Sequence, residues 1–305
     1  MDKKYAEILL IVVIALRSTA LLFSKIALAA MGPLTLLGLR FLLAFAVLFI
    51  IFFKRIVRTG RSTLLHGLLL GGLFYATMAC ELIGLDHTSS STTAFLENTA
   101  IMFVPLFDAA LRRGRPRPSA FVSGLMALAG VAFLTLHDGR LSMGAGEYCC
   151  MLAALFYAAT IVATDRLAKK DDATVLGVLQ VGVIGVLGAV SAFIFEQPSL
   201  PAAATWGGAT WGAVSFLAVV CTVFGFTLQP VAQKYTTSDK AGLYCAINPL
   251  IAAVLGYTFL QEAFTRNSIL GAALIIGSLL VSALLDQRAA ARKPRQPLAG
   301  SGCSI

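Results

Sequence analysis

The chain has 305 residues, of which 58% are hydrophobic and only 13% charged, with a mean hydropathy of +0.85. An ordinary soluble domain is about 45–50% apolar and about 25% charged, so this chain cannot coat a water-facing surface; a soluble enzyme, a disordered tail and a fibrous repeat are excluded. Its formal net charge of +9 raises nucleic acid as a partner, a question that the placement of the charges decides.

A membrane span needs about 20 apolar residues, and ten apolar stretches bounded by charge, Gly or Pro can be read along the chain. The first five cover 6–28, 33–53, 64–85, 91–111 and 118–136. They carry Arg17 and Lys25, then Arg40, Glu81, the set Glu97, Pro105 and Asp108, and finally Gly124 and Gly130. The second five cover 146–165, 174–195, 209–232, 240–260 and 267–285. They carry Tyr157, Gln180, Gln229, the set Tyr244, Asn248 and Pro249, and the glycines Gly271 and Gly277. Every connecting loop is short, which leaves no room for a separate extramembrane domain.

With the amino terminus inside, nineteen of the 24 basic residues fall on the cytoplasmic side. Arg140 and Arg266 fall outside, and Arg17, Lys25 and Arg40 lie within spans. Such a bias predicts that both termini are cytoplasmic, and it explains the basic charge by the membrane rather than by nucleic acid. Lys3-Lys4, the apolar run after them and Ala27-Leu28-Ala29 have some features of a signal peptide. Arg17 interrupts that run, however, and the stretch is read as a first helix. The six cysteines form no C-x-x-C pair and have no His spacing suited to zinc, so no metal or cofactor is expected.

Five spans per half place the second half upside down relative to the first, the inverted repeat of alternating-access carriers. At an offset of 147, Gly124 and Gly130 fall on Gly271 and Gly277, Ala94 and Leu96 on Ala241 and Leu243, and Ser91 on Ser238. The fold class predicted is therefore an all-α polytopic membrane protein of ten transmembrane helices in two five-helix inverted repeats. The repeats take 1–140 and 141–286, followed by a basic cytoplasmic tail over 287–305 that is read as disordered.

Several stretches resemble the drug/metabolite transporter superfamily, and within it the ten-span EamA-type permeases. They are Arg40-Phe-Leu-Leu-Ala44, Ala154-Leu-Phe-Tyr-Ala158 and Tyr235-Thr-Thr-Ser-Asp-Lys-Ala241. Asn248-Pro249, Gln261-Glu262, Gly271 and Gly277 continue the pattern in the same order. The resemblance implies export or exchange of small organic metabolites, such as amino acids, through a central cavity between the halves. The departures fall in the first half. Arg17 stands where such permeases usually have Trp, Pro249 is matched in the repeat by Met102, and Glu262 by Arg115.

Six ionisable residues lie within the first-half spans: Arg17, Lys25, Arg40, Glu81, Glu97 and Asp108. Each unpaired charge near a helix centre costs about 2.5–3.5 kcal/mol, so they must pair, reach an interface or face a wet cavity. Lys25 is expected to snorkel to the outer surface, and Asp108 to pair with Arg112 one turn on. Arg40 is positioned to neutralise Glu81. Glu97 and Asp108 flank Pro105, which predicts a kinked helix suited to gating or proton coupling, with Pro249 as the second such proline. Arg17, Arg40, Glu81, Glu97, Tyr157, Gln180, Gln229, Tyr244 and Asn248 are the candidate substrate-binding residues. For the polar residues of the second half, helix–helix hydrogen bonding is the equal alternative.

A cavity offering both a cation and a carboxylate suits a zwitterion. The function read from these residues is thus a secondary carrier for a small polar metabolite, amino-acid-like, exporting or exchanging by alternating access and open to proton coupling. The partners are the small-molecule substrate and the lipid bilayer, in a bacterial inner membrane. A passive channel or accessory membrane subunit is the alternative. An integral-membrane enzyme acting on lipid is disfavoured by the lack of any phosphate-loop or zinc-protease motif.

Overall fold

The computed structural model describes residues 3–111, 118–134, 136–137, 140–141, 143–167, 170–198, 206–225, 247–262 and 265–292. Each of the ten apolar stretches coincides with helix in these residues. The first is split into α1 (Lys3–Ser18) and α2 (Ala20–Leu28), followed by α3 (Pro33–Val57) and α4 (Arg61–His87). The fourth is again split, into α5 (Ser90–Asn98) and α6 (Ala100–Leu111), and α7 spans Pro118–Leu134. A short antiparallel pair, β1 (Leu136–His137) and β2 (Arg140–Leu141), leads into the second half. There α8 (Ala145–Leu167) and α9 (Ala173–Phe195) precede α10 (Gly208–Phe216), which runs on as a π-helix over Leu217–Phe224. Helices α11 (Ile247–Leu260) and α12 (Arg266–Arg292) complete the described fold.

Local chemistry sets several of these ends. Pro33 opens α3, where its missing N–H leaves no hydrogen bond unmade, and Lys54 and Arg55 sit in its last turn against the negative end of the helix dipole. Ser89 caps α5 by accepting from the Thr92 N–H at 3.0 Å, and Asp172 caps α9 by accepting from Thr174 N–H at 2.9 Å.

Among the described residues five helical stretches are long and apolar enough to cross a membrane: Pro33–Val57, Arg61–His87, Ser90–Leu111, Ala145–Thr164 and Ala173–Phe195. Their outward faces are apolar as well. Ile50 is 78% exposed, and Phe193 and Phe195 about three-quarters exposed, a surface that lipid rather than water must cover.

In lipid, helices associate by close packing of small residues, and here first-half helices pack against second-half ones. A Cβ placed on Gly188 of α9 would come within 2.8 Å of the Gly38 backbone nitrogen in α3. Gly71 of α4 receives Val183 of α9, and Gly130 of α7 receives Ile275 of α12. The buried core, with Leu36, Leu37, Phe41, Phe74, Leu82, Ile184 and Leu217, runs between the two sets of helices.

Candidate functional site

Three hydrogen-bonding irregularities converge inside the bundle, two of them single-residue tightenings at which the backbone dihedrals stay helical. Helix α1 passes into α2 at Thr19, whose hydroxyl donates to the Leu16 carbonyl at 2.6 Å. Helix α5 passes into α6 at Thr99, whose hydroxyl donates to the Leu96 carbonyl at 2.6 Å, while the Asn98 amide donates to the Ala94 carbonyl at 2.8 Å. In both, a side chain competes for the carbonyls that continue a helix. Each tightening follows two residues after a charge, Arg17 in the first case and Glu97 in the second.

The third irregularity is the π-helix. Its wider turn lets the Thr222 hydroxyl donate to the Leu217 carbonyl five residues back, at 2.9 Å. The same oxygen accepts from the Arg40 Nε at 2.9 Å. Cys221, beside it, reaches the first tightening, with its thiol donating to the Leu16 carbonyl at 3.5 Å. Local π-helix is uncommon and concentrates at functional sites; here it delivers a hydroxyl to a buried guanidinium.

Around these irregularities the structure gathers four of the predicted residues. Arg40 is 7% exposed, with its guanidinium 5.2 Å from the centre of the Phe41 ring. Arg17 lies along Gly225 at the end of the π-helix segment; a Cβ there would stand 3.3 Å from the arginine Cδ. Glu81 is in electrostatic range of both arginines, and Glu97 in range of Glu81 and Arg17. The Glu81 Oε2 is buried and has no hydrogen-bond partner among the described residues. Two cations and two carboxylates thus share one interior region, with a carboxylate oxygen left over.

The other predicted residues divide. Tyr157 packs edge-on against Phe74, ring centres 6.0 Å apart. Gln180 is buried in α9, with no hydrogen bond to the charged cluster among the described residues. Gln229 and Tyr244 lie outside the described residues. Asn248 and Pro249 lie at the start of the described part of α11. Pro105 lies within α6, and the tightening stands at Thr99, six residues before it and on the Glu97 side. Asp108 approaches Arg166 of α8 at 3.5 Å, both half-exposed; Arg112 is outside the described residues. Lys25, expected to snorkel to the outer surface, donates to the carbonyls of Leu85, Asp86 and Thr88, where the last turn of α4 leaves acceptors unused.

Two carboxylates that the sequence reading had not placed in the mechanism hold one end of the bundle. Glu196, just past α9, accepts from the Leu34 and Thr35 N–H groups at 2.7 Å each and from the Thr35 hydroxyl at 2.6 Å. Glu262, just past α11, accepts from the Ser90 N–H and hydroxyl at 2.7 Å each and from the Ser91 N–H at 3.2 Å. It also accepts from the Ser91 hydroxyl. The signals available in sequence were Gly32-Pro33, a helix start with no capping side chain of its own, and Glu262 as part of the Gln261-Glu262 family motif. At the opposite end Asp171 accepts from the Thr63 hydroxyl at 2.5 Å and meets His66 Nδ1 at 2.6 Å. These hydrogen bonds, first Thr63 and then His66, hold the Asp171 carboxyl below the usual aspartate range. Among the described residues no three His, Cys, Asp or Glu side chains come together as metal ligands.

The chain has relatives along nearly its whole length. A transporter of Archaeoglobus fulgidus, known only as uncharacterized, is 26% identical over 269 residues, covering 84% of this chain and 89% of the relative. The uncharacterized transporter YoaV of Bacillus subtilis is 26% identical over 276 residues, covering 87% and 91%. A solved structure, titled only as the crystal structure of a protein, shares the fold at a TM-score of 0.67 and 23% identity, covering 94% of this chain and 99% of that one. The EamA-like transporter family matches twice in tandem, over residues 4–136 and 144–284. Apolar helices with lipid-facing surfaces, local helix irregularities around buried charge and this tandem match agree: the chain is an integral membrane transporter and belongs to the EamA-like transporter family.

Proposed function

We propose that this transporter is a secondary carrier for a small zwitterionic metabolite, amino-acid-like, working by alternating access around Arg17, Arg40, Glu81 and Glu97. The observation that carries the reading is the buried Glu81 Oε2 with no hydrogen-bond partner among the described residues, beside two arginines. A buried carboxylate oxygen without a partner is costly, and a substrate ammonium group or a transported proton would satisfy it. Arg17 and Arg40 supply the complementary cations for a substrate carboxylate. Irregular helices at a binding centre are also how membrane carriers expose backbone and charge without exposing them to lipid.

In this reading the ten spans form two inverted repeats, 1–140 and 141–286, with both termini and the tail in the cytoplasm. The membrane is the inner membrane of a bacterium, and the carrier exports or exchanges its substrate. Glu97, at the α5–α6 junction, is the residue through which proton occupancy acts on helix geometry.

Counterflow by the purified protein in liposomes tests the reading, using labelled amino acids, nucleobases and dicarboxylates. Saturable counterflow with amino acids is expected. Counterflow only with substrates lacking a positive group would overturn the zwitterion assignment, and unsaturating flux would make the protein a channel. Arg17→Ala is expected to abolish substrate-dependent thermal stabilisation, which in the parent grows with ligand concentration; unchanged stabilisation removes Arg17 from the site.

A further inference from the structure

Glu196 and Glu262 form similar bonds at the end of the bundle that the charge distribution places outside, yet the helices they hold differ. Each is a second-half carboxylate seated on the N-terminus of a first-half helix, where the dipole and free N–H groups favour an anion. Each is also next to a strained residue. Gln197 and Gln261 are the only non-glycine residues with positive φ among the described residues, at 47° and 55°. Left-handed backbone is disfavoured at a side-chain-bearing residue, and it turns the chain at each helix end so that the neighbouring carboxylate can reach across.

Helix α3, held by Glu196, is fixed independently of that carboxylate. Its backbone touches that of α9 at Gly38, Gly185 and Gly188, contacts with no room for a side chain. Helix α5, held by Glu262, is a nine-residue segment that joins α6 at Thr99, where the backbone stays helical but tightens, the Thr99 N–H and hydroxyl both bonding the Leu96 carbonyl. Its N-terminus sits under Glu262 and its last turn carries Glu97, a member of the central charged cluster. Gly256 leaves the space that the latch needs: a Cβ there would stand 2.4 Å from Glu262 Oε2 and 2.9 Å from the Ser90 Oγ.

We infer that Glu262 is a releasable latch on α5, coupling the outer mouth of the carrier to the state of Glu97, whereas Glu196 is a permanent clamp. This rests on the alternating-access reading above. Release of Ser90 and Ser91 lets α5 swing about Thr99, and the same movement shifts Glu97 relative to Arg17 and Glu81. Glu262 is a positioning residue in this scheme; it does not touch substrate.

Cys150 reports the movement. It is fully buried on α8, and its thiol donates to Thr93 of α5 at 3.6 Å. The full chain is prepared with Cys150 as its only cysteine and reconstituted, and a membrane-impermeant maleimide is added from outside. Glu262→Gln keeps the size but loses the charge and one acceptor, and is expected to speed labelling of Cys150 by about tenfold, the range set by loss of a helix cap. Gly256→Ala, which evicts the carboxylate sterically, is expected to do the same and serves as the second variant should Glu262→Gln fail to fold. Glu196→Gln is expected to lower thermal stability without changing the labelling rate. Unchanged labelling in the folded Glu262 or Gly256 variant, or equal acceleration by Glu196→Gln, would overturn the inference. Labelling needs no substrate, so a parent protein inactive in counterflow would sink the functional reading and leave this contrast standing.

Discussion

Thr222 shows how a single hydroxyl decides the state of a buried charge. It accepts from the Arg40 Nε, and the π-turn that presents it also satisfies its own proton on the Leu217 carbonyl. Thr222→Val keeps the shape and removes the acceptor. It is expected to cost about 1–3 kcal/mol through the unpaired guanidinium, read as a lower melting temperature that Thr222→Ser largely restores. Asp171 offers a test outside the membrane. Its carboxyl titrates below the ordinary value of 3.8, held there by Thr63 and His66. Because the folded state favours the ionised form, the stabilisation is complete above that ordinary range and is lost as pH falls through the lower folded value. Asp171→Asn is therefore expected to lower the melting temperature near neutral pH and to converge with the parent in acid, as a melting series across pH would show. At this scale the central charges were legible because each is improbable in an apolar run. Thr222 was not, since a hydroxyl in such a run reads as helix–helix glue until its partner is seen.

Helix irregularities organise the site at the next scale. Arg17 and Glu97 each precede by two residues a threonine at which the helical hydrogen bonding tightens, so both charges stand beside a local irregularity of the ladder. Pro105 was the visible breaker in the sequence and lies within α6; a second irregularity, with no such signal, stands at Thr99. There Asn98 and Thr99 turn back on the preceding carbonyls, a competition that depends on side-chain rotamers rather than on residue type. The glycine contacts between α3 and α9 are the opposite kind of element, rigid and close. Gly188→Ala would press a methyl group onto the Gly38 backbone at 2.8 Å, and backbone cannot give way as a side-chain tip can. Overpacking of this kind costs about 1–3 kcal/mol, so a clear drop in melting temperature is expected. Gly72→Ala, which meets nothing within 4 Å, is the matched control and should leave it unchanged.

Over the whole molecule, the proposed orientation rests on the charge distribution. If both termini are inside, as proposed, Cys303 in the tail should react with an impermeant maleimide only when the inner face of the membrane is opened; labelling in intact right-side-out vesicles would reverse the topology. The helical stretches and the membrane environment were determined by the sequence alone, because twenty apolar residues in a row have one stable setting and basic residues resist translocation. The family was legible too, through motifs kept in order along both halves. What only the tertiary structure decided is which charges meet. Glu81 with two arginines, Lys25 on the end of α4, and Glu196 and Glu262 on helices 161 to 172 residues away in sequence are all contacts across the bundle. Spacing along one helix carries no information about them, since a buried charge takes whichever partner packing brings within reach.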